Sequence, residues 1–202
     1  MRRVIAFLCL VLPGMAHAET PLPAILEGDI IFQTSRSSQS LAIQRATKSE
    51  YSHMGVIFRE GDETLVYEAV QPVRKTPLAA WIKRGAGGKF ALRRLRAHTQ
   101  ILTPPTLEKM KAIAASHLGK AYDLTFEWDD ERLYCSELVW KIYKHGANQE
   151  VGKLQKLGDF DLSDNAVQAK LRQRFGSQIP LETTVISPAA IFSSELLFSP
   201  VF

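Results

Sequence analysis

Apolar residues recur along this chain with two periods, and the change of period divides it. In the first half the apolar runs are short. Gly28-Asp29-Ile30-Ile31-Phe32-Gln33, Ser52 to Phe58, Thr64 to Val70 and Lys89 to Leu95 read as strands. The turn-like Arg59-Glu60-Gly61-Asp62-Glu63 joins the middle two as a hairpin. In the second half the period is helical. Thr106 to Leu118, behind Pro104-Pro105, carries Leu107, Met110, Ile113, Ala114 and His117 as one stripe. Tyr134 to Tyr143 places Leu138, Val139 and Ile142 at core spacing, and Ser163 to Phe175 is a third helix with Ser163-Asp164 at its N-cap. Two helical stretches interrupt the strands: Ser37 to Thr47, with Ala42, Ile43 and Ala46 on one side, and a short one at Trp81-Ile82 after Pro77. Strands in one half and helices in the other predict an α+β fold, a small antiparallel sheet packed against helices. No repeat, low-complexity tract or domain linker breaks the pattern.

The opening residues do not belong to that fold. Met1-Arg2-Arg3 is basic, Val4 to Leu12 is apolar, and Ala16-His17-Ala18 has the small-residue spacing of a cleavage site. Together they predict a secretory signal peptide over residues 1–18, cut after Ala18. The apolar run is too short for a bilayer, which takes about 20 residues. Cys9 follows the bulky Leu8, which argues against a lipid anchor. The expected product is one exported, periplasmic domain over residues 19–202.

Composition agrees with a folded domain. Hydrophobic residues make up 46%, charged residues 23%, and mean hydropathy is −0.08; these values exclude a disordered chain, a collagen-like fibre and a multi-span membrane protein. Arg2 and Arg3 leave with the signal peptide, so the 25 basic residues become 23 against 21 acidic ones. That balance is no nucleic-acid footprint. Cys9 leaves too, and Cys135 is then the lone thiol of an exported protein, without a partner for an internal disulfide.

Cys135 sits at the start of a predicted helix, after the polar loop Glu127-Trp128-Asp129-Asp130-Glu131-Arg132. A helix start presents unpaired N–H groups and the positive end of the dipole, which favours an anion there. A cysteine nucleophile needs a base. His145 lies too far along the same helix to reach the sulfur. His117 ends a helical stripe and reads as packing or as a charge partner of the helix C-terminus. His98 follows Arg93-Arg94-Leu95-Arg96 at a strand exit and reads as solvated. His53 opens the apolar run His53-Met54-Gly55-Val56-Ile57-Phe58, where Gly55 leaves room for a neighbour to approach. The alternative is a satisfied core histidine. In the next strand Glu68 lies between Val66 and Val70 on one face, out of place unless paired. A two-residue turn at Glu60-Gly61 puts Glu68 opposite His53. A turn at Gly61-Asp62 puts it diagonal, on the same face and within reach. The alternative is a Glu exposed on an edge strand. No spacing matches a zinc signature, and no metal or other cofactor is expected.

The segments Gly28-Asp29-Ile30-Ile31-Phe32, Tyr51-Ser52-His53-Met54-Gly55, Tyr67-Glu68-Ala69-Val70 and Tyr134-Cys135-Ser136-Glu137-Leu138-Val139 resemble the YiiX-like proteins, a circularly permuted branch of the NlpC-type papain-like cysteine hydrolases. The resemblance runs from about Gly28 to Phe192. It implies a permuted papain-like fold in which His53 precedes the nucleophile Cys135, with His53 as base and Glu68 as the acid that orients it. Gly119-Lys120-Ala121-Tyr122 resembles the G-x-P-Y stretch of such enzymes, with Ala121 in place of Pro, which places Tyr122 beside the thiol as an oxyanion or substrate contact. Glu137 departs from the small residue of unpermuted members.

The implied activity is a cysteine amidase or peptidase working through a thioester. Two substrate classes stay open: a cell-wall peptide, as for unpermuted relatives, and a lipid-linked or acyl amide, with peripheral membrane contact. A different class of function is a binding module on the same fold that holds lipid or wall fragment without turnover. The basic residues Lys83, Arg84, Lys89, Arg93, Arg94 and Arg96 form either an anion-binding surface or a solvated face, and the apolar ending Phe198 to Phe202 either lines a lipid groove or packs on the core. Oligomeric state has no signature in the sequence.

Overall fold

A computed structural model of the protein describes residues 25–200. The expected signal peptide, its cleavage site, Cys9 and the last two residues of the apolar ending lie outside them. The chain runs β1 (Ile30–Gln33), α1 (Ser40–Thr47), β2 (His53–Glu60), β3 (Glu63–Glu68), β4 (Arg74–Pro77), α2 (Leu78–Arg84), β5 (Ala91–Leu95), α3 (His98–Ile101) and α4 (Pro104–Ser116). It continues through β6 (Ala121–Tyr122), β7 (Arg132–Leu133), α5 (Cys135–Lys141), β8 (Gln155–Lys156), α6 (Asn165–Phe175), β9 (Thr184–Val185), α7 (Pro188–Phe192) and β10 (Leu197–Phe198). Six strands form one sheet in the order β10-β5-β1-β2-β3-β4, and every pairing in it is antiparallel. This is the α+β arrangement expected.

The sheet is buried on both faces, which explains why β2 reads as apolar throughout. Ile30, Phe32, Met54, Val56, Phe58, Leu65 and Tyr67 face the main core, where Leu138, Val139 and Ile142 of the helical half meet them. The alternate residues Ile31, Ile57, Val66 and Leu92 pack against Trp81 of α2. A third cluster joins Ala42 of α1 to Val167 and Leu171 of α6. The helical stripe of α4 buries Met110 and Ala114. Asp164 caps α6, its side chain accepting from the Ala166 N–H at 2.8 Å.

The differences from the sequence reading have local causes. The helix expected over Tyr134 to Tyr143 is α-helical only to Lys141, and a π-helical turn continues it over Ile142–Gly146. Strand β4 went unread because only Thr76 of its Arg-Lys-Thr-Pro sequence is buried. The basic cluster is neither one solvated face nor one continuous patch. Arg94 is buried in an ion pair with Asp29 at 2.7 Å, Arg84 binds Glu68, and Arg93 lies over the Phe192 ring at 4.9 Å. His98 is half-buried, with Nδ1 3.0 Å from the Leu95 carbonyl, rather than solvated. His117 is buried with Nδ1 3.2 Å from Lys120 Nζ, and burial and the Lys120 charge lower its pKa.

Candidate active site

The hairpin of β2 and β3 sets the first part of the site. Its two-residue turn is Gly61-Asp62, with Gly61 at φ 57°, a conformation glycine adopts without strain. The register Glu60↔Glu63 through Val56↔Tyr67 places Glu68 diagonal to His53. This is the second of the two registers weighed from sequence. His53 Nε2 and Glu68 Oε2 are 2.6 Å apart, and both residues are buried. Glu68 is neither exposed nor alone.

Glu68 is the hub of a set of donors that the sequence did not reveal. Thr76 Oγ1 donates to Oε1 at 2.6 Å, Trp81 Nε1 donates to Oε2 at 2.9 Å, and Arg84 also donates to Oε2. Arg74, its cross-strand partner in β4, brings Nε to 3.7 Å from Oε1. A fully buried carboxylate is costly unless paired and hydrogen-bonded. Here burial pushes the carboxyl pKa up, but His53, Arg84 and Thr76 outweigh it and hold it down at about 2. The Trp81 ring stacks on His53 with centroids 5.9 Å apart. Thr76, Trp81 and Arg84 come from β4 and α2, and the one legible hint was Trp81 and Arg84 three residues apart on a short helix.

The second part is the start of α5. Cys135 is its first residue, 3% exposed. The residues on either side of it are both tied to Ile186: Ser136 Oγ donates to the Ile186 carbonyl at 2.7 Å, and Tyr134 Oη accepts from the Ile186 N–H at 3.1 Å. Glu137 Oε2 accepts from the Tyr134 N–H at 3.3 Å, while Oε1 lies 2.8 Å from Lys141 Nζ. Burial raises Glu137 to about 7 against the pull of Lys141. The Glu at this position therefore ties down the first turn of the helix that carries Cys135.

These two parts meet. Cys135 lies near enough to His53 to act on its charge. Nε2 is engaged by Glu68, so Nδ1 is the ring nitrogen available to a nucleophile. Burial disfavours a charge on the imidazole, but Cys135 and Glu68 together raise its pKa to about 9. So His53, Glu68 and Cys135 form one connected set. Their order is sulfur, imidazole, carboxylate, the arrangement that lets a histidine take a proton from a nucleophile.

Tyr122, on β6, stands beside Cys135. Its backbone N–H donates to Gln71 Oε1 at 2.7 Å, and β6 pairs in parallel with β7, which leads into α5. Burial and the nearby Cys135 raise the phenol pKa far above its usual value, so the hydroxyl keeps its proton.

A narrow groove with about 100 Å³ of enclosed space runs from Cys135 and Tyr122 between α1 and α6. Its wall is almost wholly apolar, with Ile43, Ala46, Phe126, Phe160, Leu162 and Leu171 along it and Lys170 and Arg174 as its charged members. The Ala42-Ile43-Ala46 side of α1 was legible as an apolar face; that α6 and the segment around Leu162 complete a groove was not. Among the described residues no group of three or more His, Cys, Asp and Glu side chains is placed to hold a metal ion, and no helix is long and apolar enough to cross a membrane.

The chain is similar to known proteins over most of its length. Residues 24–198 match the family described as permuted papain-like amidase enzyme, YaeF/YiiX, C92 family. The uncharacterized protein YiiX of Escherichia coli K12 is 49% identical over 170 residues, covering 84% of this chain and 83% of its own. A crystal structure from Escherichia coli O157:H7, described as that of metalloprotein yiiX, superposes with a TM-score of 0.83 at 48% identity, covering 87% of this chain and 96% of that one. The metal named there is said of that protein. By its sequence match over nearly its whole length, and by its fold, the chain belongs to the permuted papain-like amidase family.

Proposed function

We propose that this protein is an exported cysteine amidase that cleaves a long-chain acyl or lipid-linked amide, with Cys135 as nucleophile, His53 as general base and Glu68 as the acid that orients it. The observation that carries the substrate class is the apolar groove that starts at Cys135. An alkyl chain gains from leaving water along such a wall, at roughly 0.8 kcal/mol per buried CH₂. A cell-wall peptide, rich in polar amides, would leave its hydrogen-bonding groups unpaired there.

The steps balance without a cofactor. His53 takes the Cys135 proton, and the sulfur adds to the acyl carbon as the carbonyl π pair moves onto oxygen. Backbone N–H groups at the start of α5 and the Tyr122 hydroxyl stabilise that oxygen. The C–N bond breaks, and the amine leaves with the proton from the imidazolium. Water, deprotonated by His53, then adds to the thioester; the C–S bond breaks, the fatty acid departs, and the proton returns to sulfur. Lys170 and Arg174 on the groove suit a substrate drawn from an anionic membrane surface, and export places the enzyme in the periplasm beside one.

The test is intact-mass analysis of the protein without its first 18 residues, mixed with p-nitrophenyl dodecanoate and, separately, with N-dodecanoyl amides. The expected result is an acyl adduct on Cys135, absent in Cys135→Ala, and release of free fatty acid. Preferential cleavage of a wall peptide would overturn the substrate class. Lipid that binds without adduct or turnover would make the protein a binding module instead.

A further inference from the structure

Tyr122 is tied to two residues that no sequence motif singles out. Gln39, just before α1, places Nε2 2.9 Å from Tyr122 Oη. Arg174, on α6, donates to Gln39 Oε1 and lies over the Phe126 ring at 4.8 Å. The direction of these bonds follows from chemistry. A guanidinium has donors only. The atom of Gln39 that faces Arg174 is therefore its oxygen, and the atom that faces Tyr122 is its NH₂ group. That group can only donate, so the phenol oxygen accepts, and its own proton is left over. Among the described residues the Tyr122 hydroxyl has no acceptor for that proton. Tyr122 lines the groove together with Cys135.

We propose that Arg174 and Gln39 are positioning residues that set the polarity of Tyr122, aiming its O–H proton at the oxygen of the carbonyl that Cys135 attacks. This rests on the acyl-transfer reading above. No proton is transferred along the relay. As the C–S bond forms, the oxygen gains the carbonyl π pair and accepts a hydrogen bond from a phenol already turned toward it. Arg174 fixes which way the Gln39 amide faces, and the amide fixes which way the phenol faces. Because Gln39 and Arg174 come from the two walls of the groove, the relay also holds those walls together at the sulfur.

Gln39→Glu separates this role from a structural one. A carboxylate keeps the shape, accepts from Arg174 as well as the amide does, and accepts from Tyr122 too. The packing is preserved and the phenol proton is turned away from the substrate. Two reactions of Cys135 are compared in the full mature chain. Iodoacetamide is attacked at a CH₂ group and builds no oxyanion; p-nitrophenyl dodecanoate builds one. Gln39→Glu and Tyr122→Phe should each slow acylation by about 10²-fold, the usual effect of losing one oxyanion donor. Alkylation should stay within about twofold of wild type. The double variant should be no slower than Tyr122→Phe alone. Acylation of Gln39→Glu at the wild-type rate, or an equal slowing of both reactions, overturns the relay and leaves the acyl-transfer reading standing. Wild-type protein that alkylates quickly but never acylates overturns both.

Discussion

Gly55 of β2 lies opposite Glu68 of β3, with no room between them for a side chain. A Cβ on Gly55 would stand 3.4 Å from Glu68 Cβ, 2.5 Å from Val66 Cγ1 and 2.6 Å from the Tyr67 carbonyl. No real side chain fits there without moving β3. The glycine between Met54 and Val56 is thus what lets the carboxylate reach the imidazole across the diagonal. Gly55→Ala should cost about 1–3 kcal/mol in urea unfolding, the range for overpacking a tight site. It should also widen the His53–Glu68 contact and lower kcat/KM by at least about tenfold. A variant that loses stability but keeps full activity would show that this contact is not used.

The state of His53 gives a pH prediction. Its pKa is raised from 6.5 to about 9, so its charged form persists through neutral pH. The stability it contributes is complete below about 6.5 and is lost as pH rises through about 9. The alkaline limb of kcat/KM should fall in the same region. Glu68→Gln removes the anion behind the ring, so that limb should move toward acid and activity at pH 8 should drop. A limb that stays in place in Glu68→Gln would contradict the pairing.

Glu68 works with the opposite sign. Its pKa is lowered from 4.5 to about 2. Its contribution to stability is complete above about 4.5 and is lost as pH falls toward 2. Trp81→Phe keeps an aromatic ring over His53 and deletes the Nε1 donor. It should cost about 2 kcal/mol at pH 7, the range of a hydrogen bond to a charged group. The cost should shrink as pH falls toward 3. Urea titrations at several pH values measure it, and a pH-independent difference would assign the loss to packing alone.

The groove predicts chain-length selectivity. Ala46, half-buried on its wall, is the place to fill it. Ala46→Phe should slow acylation by p-nitrophenyl dodecanoate by at least about tenfold while leaving p-nitrophenyl acetate within about twofold. That discrimination corresponds to about 1.4 kcal/mol. Equal rates with both esters would mean that the alkyl chain lies elsewhere.

The sequence carried the hairpin, the three side chains of the site and the helix that starts at Cys135, because each leaves a local mark. Gly61 marks the turn to within one residue, Glu68 is an acid between valines, and Cys135 opens an apolar helical stripe. Tyr122 was legible only through a motif it shares with a family. What surrounds these residues left no such mark. Thr76, Trp81 and Arg84 serve Glu68 only because α2 folds back over the sheet, and Arg94 looked like surface charge until Asp29 met it in the core. The groove needs α1 and α6, far apart in the chain, to share one apolar cluster. Gln39 and Arg174 carry no sequence signal at all; their meaning is the direction of two hydrogen bonds.

The proposed chemistry depends on His53 activating the sulfur of Cys135. The rate of iodoacetamide modification of the mature protein between pH 5 and 9, in wild type and His53→Ala, measures this directly. The expected result is rapid, selective modification of Cys135 already at pH 6, slowed by at least about tenfold in His53→Ala. A wild-type rate that climbs only toward the ordinary thiol pKa of about 8.5, with His53→Ala tracing the same curve, would contradict it.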